Sequence, residues 1–327
     1  MSYDKQLAAA KTAVSLAARL SQKVQKSLLQ SDIQSKSDRS PVTVADYGSQ
    51  ALVSFILEKE LPTMSFSLVA EEDSADLCKE ESRETLHRIT KLVNETLASD
   101  GMSDISALSE EDVLMAIDKG KSEGGPHSQH WILDPIDGTN GFIRGDQYAI
   151  ALALLDKGKV VLAVLACPNL PLVSVTSNGH QCTSKDKDKV QVTATNNPEE
   201  ASLFESFEAA HYSHDLSSLI IGKLGVKALP VRIDSQAKYC TLSRGDGAIY
   251  MCFPRNGYHE KIWDHAAGYM VVTEAGGIVV DASGNPLDFS RGRYLDLDTG
   301  IIATNQKLMP SLLRALQESI KEKASSL

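Results

Sequence analysis

Apolar and polar residues alternate along the chain with two periods, one typical of helices and one typical of strands. Helical spacing of apolar residues predicts helices at residues 4–29, 46–61, 84–97, 109–119, 214–224, 235–244, 264–275 and 306–323. Ser2 or Asp4 is the predicted N-cap of the first helix. Short apolar or alternating runs predict strands at residues 66–71, 132–133, 148–155, 159–166, 190–193, 248–253, 278–280 and 300–303, and near Val231. This alternation predicts an α/β or α+β fold.

The same pattern suggests how the chain divides into domains. The chain has 327 residues, enough for one large or two ordinary domains. A polar stretch at residues 173–189 interrupts the pattern, so we place the boundary between Cys167 and Val190. We predict an N-terminal α+β domain at residues 1–170 and a C-terminal α/β domain at residues 171–327. Residues 74–128, with two charged helical patterns, are predicted to be a peripheral insertion.

Charge and composition narrow the class of partner. The net charge is −10 and the pI about 5.3, which disfavours a nucleic-acid polymer because its backbone binds a basic surface. An anionic small molecule would need a local basic pocket instead. No segment has the length of a membrane span, and residues 7–20 mix apolar and polar positions, unlike a secretory signal. We expect a cytoplasmic monomer, with an organelle left open as an alternative.

The five cysteines form neither CxxC pairs nor an even set, so a reducing compartment is the simpler interpretation. Cys167 and Cys182 flank the polar stretch. They are either a regulatory disulfide or two idle thiols, and the second interpretation is favoured.

Candidate chemistry concentrates in the segment WILDPIDGTNGF, residues 131–142. Ile132 and Leu133 predict a short buried strand that ends near Asp134 and Asp137. Carboxylate oxygens select hard cations such as Mg²⁺, which is usually held by a few carboxylates and substrate phosphate oxygens. The Gly-Thr step that follows would offer backbone amides to a phosphate if a helix begins there. The alternative is an Asp-rich turn without chemistry.

Three other segments place carboxylates near the ends of predicted elements. PVTVAD ends at Asp46, the apolar run at residues 66–70 is followed by Glu71, and Asp264 precedes a helix that closes at Gly276 and Gly277. Taken singly, each carboxylate is equally well explained as a helix N-cap or a solvated loop residue.

Taken together and in this order, these segments resemble one superfamily. PVTVAD, VAEED, WILDPIDGTNGF and IWDHAAG with EAGG are similar to the Mg²⁺-dependent, lithium-sensitive phosphomonoesterases that include inositol monophosphatase and fructose-1,6-bisphosphatase. GFIRGDQYAIALALL and DSQAKY resemble, within that superfamily, the plant-type 3'(2'),5'-bisphosphate nucleotidases. The resemblance extends to about Leu313. It implies a layered α-β-α-β-α sandwich with the metal site between two domains.

The resemblance also implies a role for each matching position. It implies two or three Mg²⁺ ions held by Glu71, Asp134, the Ile136 carbonyl, Asp137 and Asp264. Asp46 and Thr139 would orient and deprotonate the attacking water, with the metals neutralising phosphoryl charge. The residues expected to contact the substrate are Gly138, Thr139, His211, Ser235, Lys238 and Asp264.

Two departures from the family pattern qualify this interpretation. Cys252 stands where the related nucleotidases carry an Arg that meets the uncleaved phosphate, which predicts weaker bisphosphate recognition. Arg255 lies three residues further on, on the opposite strand face, and is a poor substitute. After Leu172 an apolar hairpin of the family is expected to be missing, which would leave a sheet edge open and lower stability.

The expected function is hydrolysis of adenosine 3',5'-bisphosphate (PAP) to AMP and phosphate, with its sulfated analogue PAPS and inositol 1,4-bisphosphate as further substrates. Two alternatives stay open. In the first, the main activity would be that of an inositol polyphosphate 1-phosphatase. In the second, the chain would be a weakly active or inactive family member that binds nucleotide.

Overall fold

The computed structural model describes residues 2–36, 40–62, 66–100, 106–171, 173–175, 181–183, 190–207, 214–255, 258–295, 297 and 299–325. Its helices are α1 Asp4–Lys26, α2 Val44–Glu60, α3 Arg83–Ser99, α4 Glu110–Asp118, α5 Thr139–Arg144, α6 His214–Leu224, α7 Ala237–Ser243, α8 Ala266–Glu274 and α9 Met309–Ser325. Its strands are β1 Ile33–Ser35, β2 Pro41–Thr43, β3 Leu68–Ala70, β4 Gln129–Asp137, β5 Ala149–Asp156, β6 Lys159–Ala166, β7 Val173–Val175, β8 Gln181–Thr183, β9 Leu203–Glu205, β10 Val231–Arg232, β11 Ile249–Cys252, β12 Gly277–Asp281 and β13 Ile301–Asn305.

Two sheets organise the described part of the chain. The first has the order β3-β4-β5-β6, in which β3 is parallel to β4 and the other pairs are antiparallel. The second has the order β10-β9-β11-β13-β12, with β9 parallel to both of its neighbours and β13 antiparallel to both of its own. The first sheet therefore ends at Ala166 and the second begins at Leu203. The domain boundary between Cys167 and Val190 stays a prediction.

Successive residues of each strand point to opposite faces of the sheet, and the buried side chains accordingly form three cores. The first core joins helices α1 to α4 to one face of the first sheet, through residues such as Leu133 and Leu152. The second joins the other face, through Ile132, to helices α7 and α8 and one face of the second sheet. The third joins the far face of the second sheet to helices α6 and α9. Five layers result, which confirms the predicted α-β-α-β-α sandwich.

The helices of residues 74–128 contribute to the first core instead of standing apart from it. Ile89 and Val93 of α3 and Val113 and Ile117 of α4 are fully buried, and both helices contact α2. Among the described residues, no helix is both apolar enough and long enough to cross a bilayer.

One expectation of the pattern analysis is wrong. Residues 190–193 form no strand, and Val192 instead donates a main-chain hydrogen bond to the Ala275 carbonyl at 3.1 Å. In the polar stretch, β7 and β8 pair with each other in antiparallel register, Val173 opposite Thr183, as a sheet of their own. The loss of the family hairpin from the larger sheet stays a prediction. The β1–β2 hairpin and α5 were not predicted, since each element is too short to show a period.

Candidate active site

A β-bulge in β4 sets the direction of the central carboxylates. Asp134 pairs with Ala151, but Asp137 pairs with Ala149, so β4 carries one extra residue between them. A bulge bends its strand and redirects side chains near sites. Gly138 follows with φ 86° and leads into α5. A Cβ at this position would lie 2.9 Å from the Ser235 Cβ, so both the conformation and the close approach require glycine.

Asp46 and Thr139, which are 93 residues apart in sequence, lie in hydrogen-bond contact. The Thr139 hydroxyl lies 3.1 Å from Asp46 Oδ1 and 3.1 Å from the Ile136 carbonyl, either of which can accept its proton. Asp46 is also the N3 residue of the α2 capping box, where its Oδ2 accepts bonds from the Thr43 amide at 2.8 Å and hydroxyl at 2.6 Å. The helix cap therefore holds the completely buried Asp46 carboxylate in one orientation.

Glu71 follows β3 and forms an ion pair that the sequence did not indicate. Lys36 places its Nζ 2.7 Å from Glu71 Oε1 and 2.5 Å from Glu72 Oε1. Burial alone would lower the pKa of Lys36, but the two carboxylates outweigh it and raise that pKa above its ordinary value. Lys36 is therefore charged and partly neutralises this edge of the site.

The remaining carboxylates are crowded. Burial raises the pKa of Asp134 well above its ordinary value, and Glu71, Asp137, Asp264 and Asp46 raise it further. Burial, followed by the charge of Asp137, does the same for Asp264. Burial raises the pKa of Asp137 to about 6, although Lys238 opposes the shift. Such a group of like charges is stable in ionised form only with a cation nearby.

The donor set fits a hard divalent cation. The Oδ1 atom of Asp134 is buried and has no hydrogen-bond partner, a state that costs free energy unless the atom binds something. Within the described ranges, no three Asp, Glu, His or Cys side chains already converge as a metal site. Lys36 and the Gln236 amide, 2.6 Å from Asp137 Oδ2, currently satisfy two of the carboxylates. Carboxylate and carbonyl oxygens are the ligands of hard cations such as Mg²⁺ and Ca²⁺.

A cleft of about 1220 Å³ brings the predicted residues together. It is lined by Glu71, Asp134, Ile136, Asp137, Gly138, Thr139, Ser235, Lys238 and Asp264, and also by Lys36, Lys261, Arg293 and Tyr294. Asp46 lies behind Thr139. His211 falls outside the described residues, and its predicted role stays a prediction.

Ser235 and Lys238 lie at the start of α7. Ser235 has φ 66°, a rare conformation for a residue with a side chain, and its hydroxyl accepts the Ala237 amide at 3.1 Å. Lys238 is buried, and its ammonium group donates to the Ile233 carbonyl at 3.0 Å. Burial lowers its pKa below the ordinary value, against the opposing charge of Asp137.

Gln236 is a functional position that the sequence analysis passed over. Its main-chain amide binds Asp137, its side-chain amide donates to the Trp263 carbonyl at 2.8 Å, and its oxygen accepts the Gly268 amide at 2.8 Å. It thus fixes α7 against both the central strand and α8. The segment DSQAKY, already singled out, contained this residue.

Cys252 does not line the cleft. It is buried in the second core, and its thiol donates to Glu260 Oε1 at 3.4 Å. The other oxygen of Glu260 lies 2.8 Å from His265 Nε2, whose Nδ1 lies 3.0 Å from the Tyr239 hydroxyl. This buried network lies beneath the site. The Cys182 side chain is outside the described part of the chain, so the disulfide hypothesis stays open.

Comparison with known proteins agrees with the fold. The profile of the inositol monophosphatase family matches residues 7–321. The 3'(2'),5'-bisphosphate nucleotidase 1 of Arabidopsis thaliana is 65% identical, with all of both chains covered. A 3'(2'),5'-bisphosphate nucleotidase of Oryza sativa is 62% identical over 98% of this chain and 96% of its own. The Arabidopsis alignment spans 353 positions against 327 residues here, so that relative has residues that this chain lacks.

Solved structures show the same fold at much lower identity. The suhB protein of Bartonella henselae gives a TM-score of 0.60 at 20% identity, covering 94% of this chain and 97% of its own. The inositol monophosphatase of Zymomonas mobilis gives 0.59 at 22% identity, with 97% and 99% covered. With the profile match over nearly the whole chain, these findings establish that the protein belongs to the inositol monophosphatase family.

Proposed function

We propose that this protein is a Mg²⁺-dependent 3'(2'),5'-bisphosphate nucleotidase that converts PAP to AMP and phosphate. The observation that carries the proposal is the hydrogen bond between Thr139 and the buried Asp46, beside a cleft lined by the carboxylates of Glu71, Asp134, Asp137 and Asp264. The names of the relatives, at 55–65% identity over nearly the whole chain, support the bisphosphate substrate.

Glu71, Asp134, Asp137, Asp264 and the Ile136 carbonyl would hold the cation. When bound, Mg²⁺ neutralises charge on the phosphoryl oxygens and lowers the pKa of water. The Asp46 and Thr139 side chains and the peptide groups of Gly138 and Thr139 supply the rest of the chemistry.

Asp46 and Thr139 act on the attacking water. Burial raises the pKa of Asp46 to about 6, against the lowering effect of its hydrogen bond from Thr43. At neutral pH the carboxylate is mostly ionised, yet basic enough to accept a proton. Thr139, held by Asp46 and the Ile136 carbonyl, orients the water through its hydroxyl oxygen. The water oxygen bonds to phosphorus in line as the bond from phosphorus to the 3'-oxygen breaks, while Asp46 accepts the proton that the water loses. The 3'-oxygen takes a proton from solvent to become a hydroxyl, and Asp46 then returns its proton to solvent.

The peptide groups at the end of β4 help to hold the scissile phosphate. Gly138 and Thr139 line the cleft, and the first N–H groups of a helix have no partner inside it. They can therefore donate to phosphate oxygens without breaking an existing helical bond.

Phosphate release from PAP, PAPS and inositol 1,4-bisphosphate, with Mg²⁺ and with a chelator, tests the proposal. We expect Mg²⁺-dependent release that is fastest with PAP. Release from neither bisphosphate in the presence of Mg²⁺ would leave the nucleotide-binding alternative ahead.

The absence at position 252 of the Arg that related nucleotidases carry favours a second candidate, an inositol polyphosphate 1-phosphatase. Cys252 itself is buried against Glu260 and does not line the cleft. A charge-assisted hydrogen bond contributes about 1.5 to 3 kcal/mol, so its absence would raise KM for PAP by about 10- to 100-fold. Steady-state kinetics of Cys252→Arg, with Cys252→Ser as the matched control, check this. An unchanged KM for PAP in Cys252→Arg would contradict it.

A further inference from the structure

A bisphosphate brings a second anionic group into a cleft whose catalytic wall is already acidic. Because the phosphate that is not cleaved must lie away from those carboxylates, it requires a cation of its own. The described lysine and arginine side chains that line the cleft are Lys36, Lys238, Lys261 and Arg293. The contacts of each decide which one can meet this phosphate.

Two of the four are already engaged. Lys36 is paired with Glu71 and Glu72. The Arg293 guanidinium donates to the Gly120 and Ser122 carbonyls at 3.2 and 3.0 Å and to the Ala70 carbonyl at 2.6 Å, where it joins the end of β3 to the loop that follows α4. Removing either contact set would break structure at the site.

Lys238 and Lys261 differ in how they present their charge. Lys238 is only 4% exposed, and its ammonium group is bonded to a main-chain carbonyl. Lys261 is half-buried. Its Nζ lies 4.2 Å from the ring centroid of Tyr294, over the ring face. Among the described residues, no carboxylate forms an ion pair with it.

Lys261 is also held in place by its backbone. Lys261 and Tyr294 form an antiparallel bridge, flanked by a bond from the Ile262 amide to the Arg293 carbonyl at 3.1 Å and one from the Leu295 amide to the Glu260 carbonyl at 2.8 Å. An ammonium group over an aromatic face is attracted to the ring quadrupole and keeps its other side for a ligand. The position is therefore a pre-organised cation that lies near enough to Asp264 for its charge to oppose the burial that raises the pKa of that carboxyl, and the described residues show no ion pair with it.

We propose that Lys261, oriented by Tyr294, binds the phosphate that is not cleaved and so determines the preference for bisphosphates over monophosphates. This inference rests on the proposed function. The turn Ile262–Asp264 connects Lys261 to the metal-ligand candidate Asp264. The site of the phosphate that is not cleaved and the site of the scissile phosphate therefore keep a fixed separation. Cys252 cannot fill this role, because it is buried against Glu260.

The test compares two substrates that are cleaved at the same bond, PAP and adenosine 3'-monophosphate, which lacks the second phosphate. For Lys261→Met we expect KM for PAP to rise by about 10- to 100-fold, as loss of a charged hydrogen bond predicts, with kcat nearly unchanged. The kcat/KM for the monophosphate should stay within about twofold of the wild-type value. Inhibition by AMP should weaken, and inhibition by inorganic phosphate should not.

Matched variants separate charge from structure. Lys261→Arg keeps the charge and should retain most of the affinity for PAP. Tyr294→Phe keeps the ring face and should raise KM for PAP less than Tyr294→Leu, which removes the ring. Lys91→Met, on the exposed face of α3, should leave KM and kcat unchanged for both substrates.

Equal losses with both substrates in Lys261→Met, or an unchanged KM for PAP, would overturn the assignment of Lys261 while the proposed function stands. Wild-type protein that releases phosphate from neither substrate would overturn the proposed function and the subsite with it. If Lys261→Met does not fold, the KM values of Tyr294→Phe and Tyr294→Leu for PAP are compared instead. Equal KM values in these two variants would overturn the assignment of Lys261.

Discussion

Asp46 illustrates how one residue combines a structural and a chemical role. Its Oδ2 closes the capping box of α2, and its Oδ1 receives Thr139. Burial raises the pKa of this carboxyl although the capping hydrogen bonds from Thr43 lower it, and the same capping bonds fix its direction. The hydrogen bonds that cap α2 therefore also orient the Asp46 carboxylate as a general base.

Asp46→Asn should separate the two roles. Loss of the base is expected to lower kcat by about 10²- to 10⁴-fold, measured by phosphate release from PAP. The cap should survive in part, because Asn also accepts an amide proton, so the free energy of unfolding should fall by no more than about 2 kcal/mol. Urea unfolding measures this second effect.

Asp112→Asn is the matched control. Asp112 closes the corresponding capping box of α4, with Ser109 amide and hydroxyl bonds of 2.8 and 2.7 Å, but lies on the surface. It should show a similar stability change and full activity. A kcat for Asp46→Asn near that of the wild type would contradict the role of Asp46 as base.

At the scale of elements, the site depends on how α7 packs against α8. Gly268 of α8 lies against Tyr239 of α7, and Gln236 bonds across the same junction. Helix α7 carries Lys238, and α8 follows Asp264. The packing of these two helices therefore sets the spacing between a substrate contact and a metal-ligand candidate.

Gly268→Ala should disturb this spacing. The added Cβ would lie 2.2 Å from Tyr239 Cδ2 and 2.4 Å from its Cγ, so the helices must separate. Overpacking of this kind costs about 1 to 3 kcal/mol, and we expect kcat/KM for PAP to fall along with the free energy of unfolding. Urea unfolding and steady-state kinetics measure the two effects.

Gly222→Ala in α6 is the control, because a Cβ there meets no atom within 4 Å. It should stabilise the protein by up to about 1 kcal/mol, as alanine is the better helix former, and leave activity unchanged. Full activity in Gly268→Ala would show that the junction tolerates movement.

At the scale of the whole molecule, the crowded carboxylates couple stability to pH and to Mg²⁺. Asp46 and Asp137 have pKa values of about 6 in the folded protein against an ordinary 3.8. The folded state therefore binds more protons than the unfolded state between these values. By linkage, these groups stabilise the fold below about pH 4, and their contribution is lost as the pH rises through about 6.

Mg²⁺ should reverse this loss, since it binds the ionised carboxylates of the folded state only. The increase in Tm on adding Mg²⁺ should be larger near pH 7.5 than near pH 5, where protons compete with the metal. Thermal melts at both pH values with Mg²⁺ or a chelator measure it.

Asp134→Asn is the control for this effect. It should make the chelated protein less sensitive to pH, because it removes one of the repelling charges, and it should reduce the response to Mg²⁺. Equal Mg²⁺ shifts at the two pH values would contradict the linkage.

The sequence by itself determined the elements with a clear period and the residue types of the site. Long helices such as α1 and long strands such as β5 were predicted within a few residues, because each repeats its apolar face many times. Strands of three residues, such as β1 and β9, escaped prediction because their stability comes from a partner strand. Residues 190–193 show the converse, since apolar alternation without a sheet edge to join gave no strand.

Only the tertiary structure decided which residues meet. It brought Asp46 to Thr139, Lys36 to Glu71 and Lys261 to the ring of Tyr294, and it buried Cys252 against Glu260. Periodicity is a local property of the chain, whereas these contacts join layers that are distant in sequence. These contacts set the burial and the pKa of each side chain in the site, so both depend on how the layers pack.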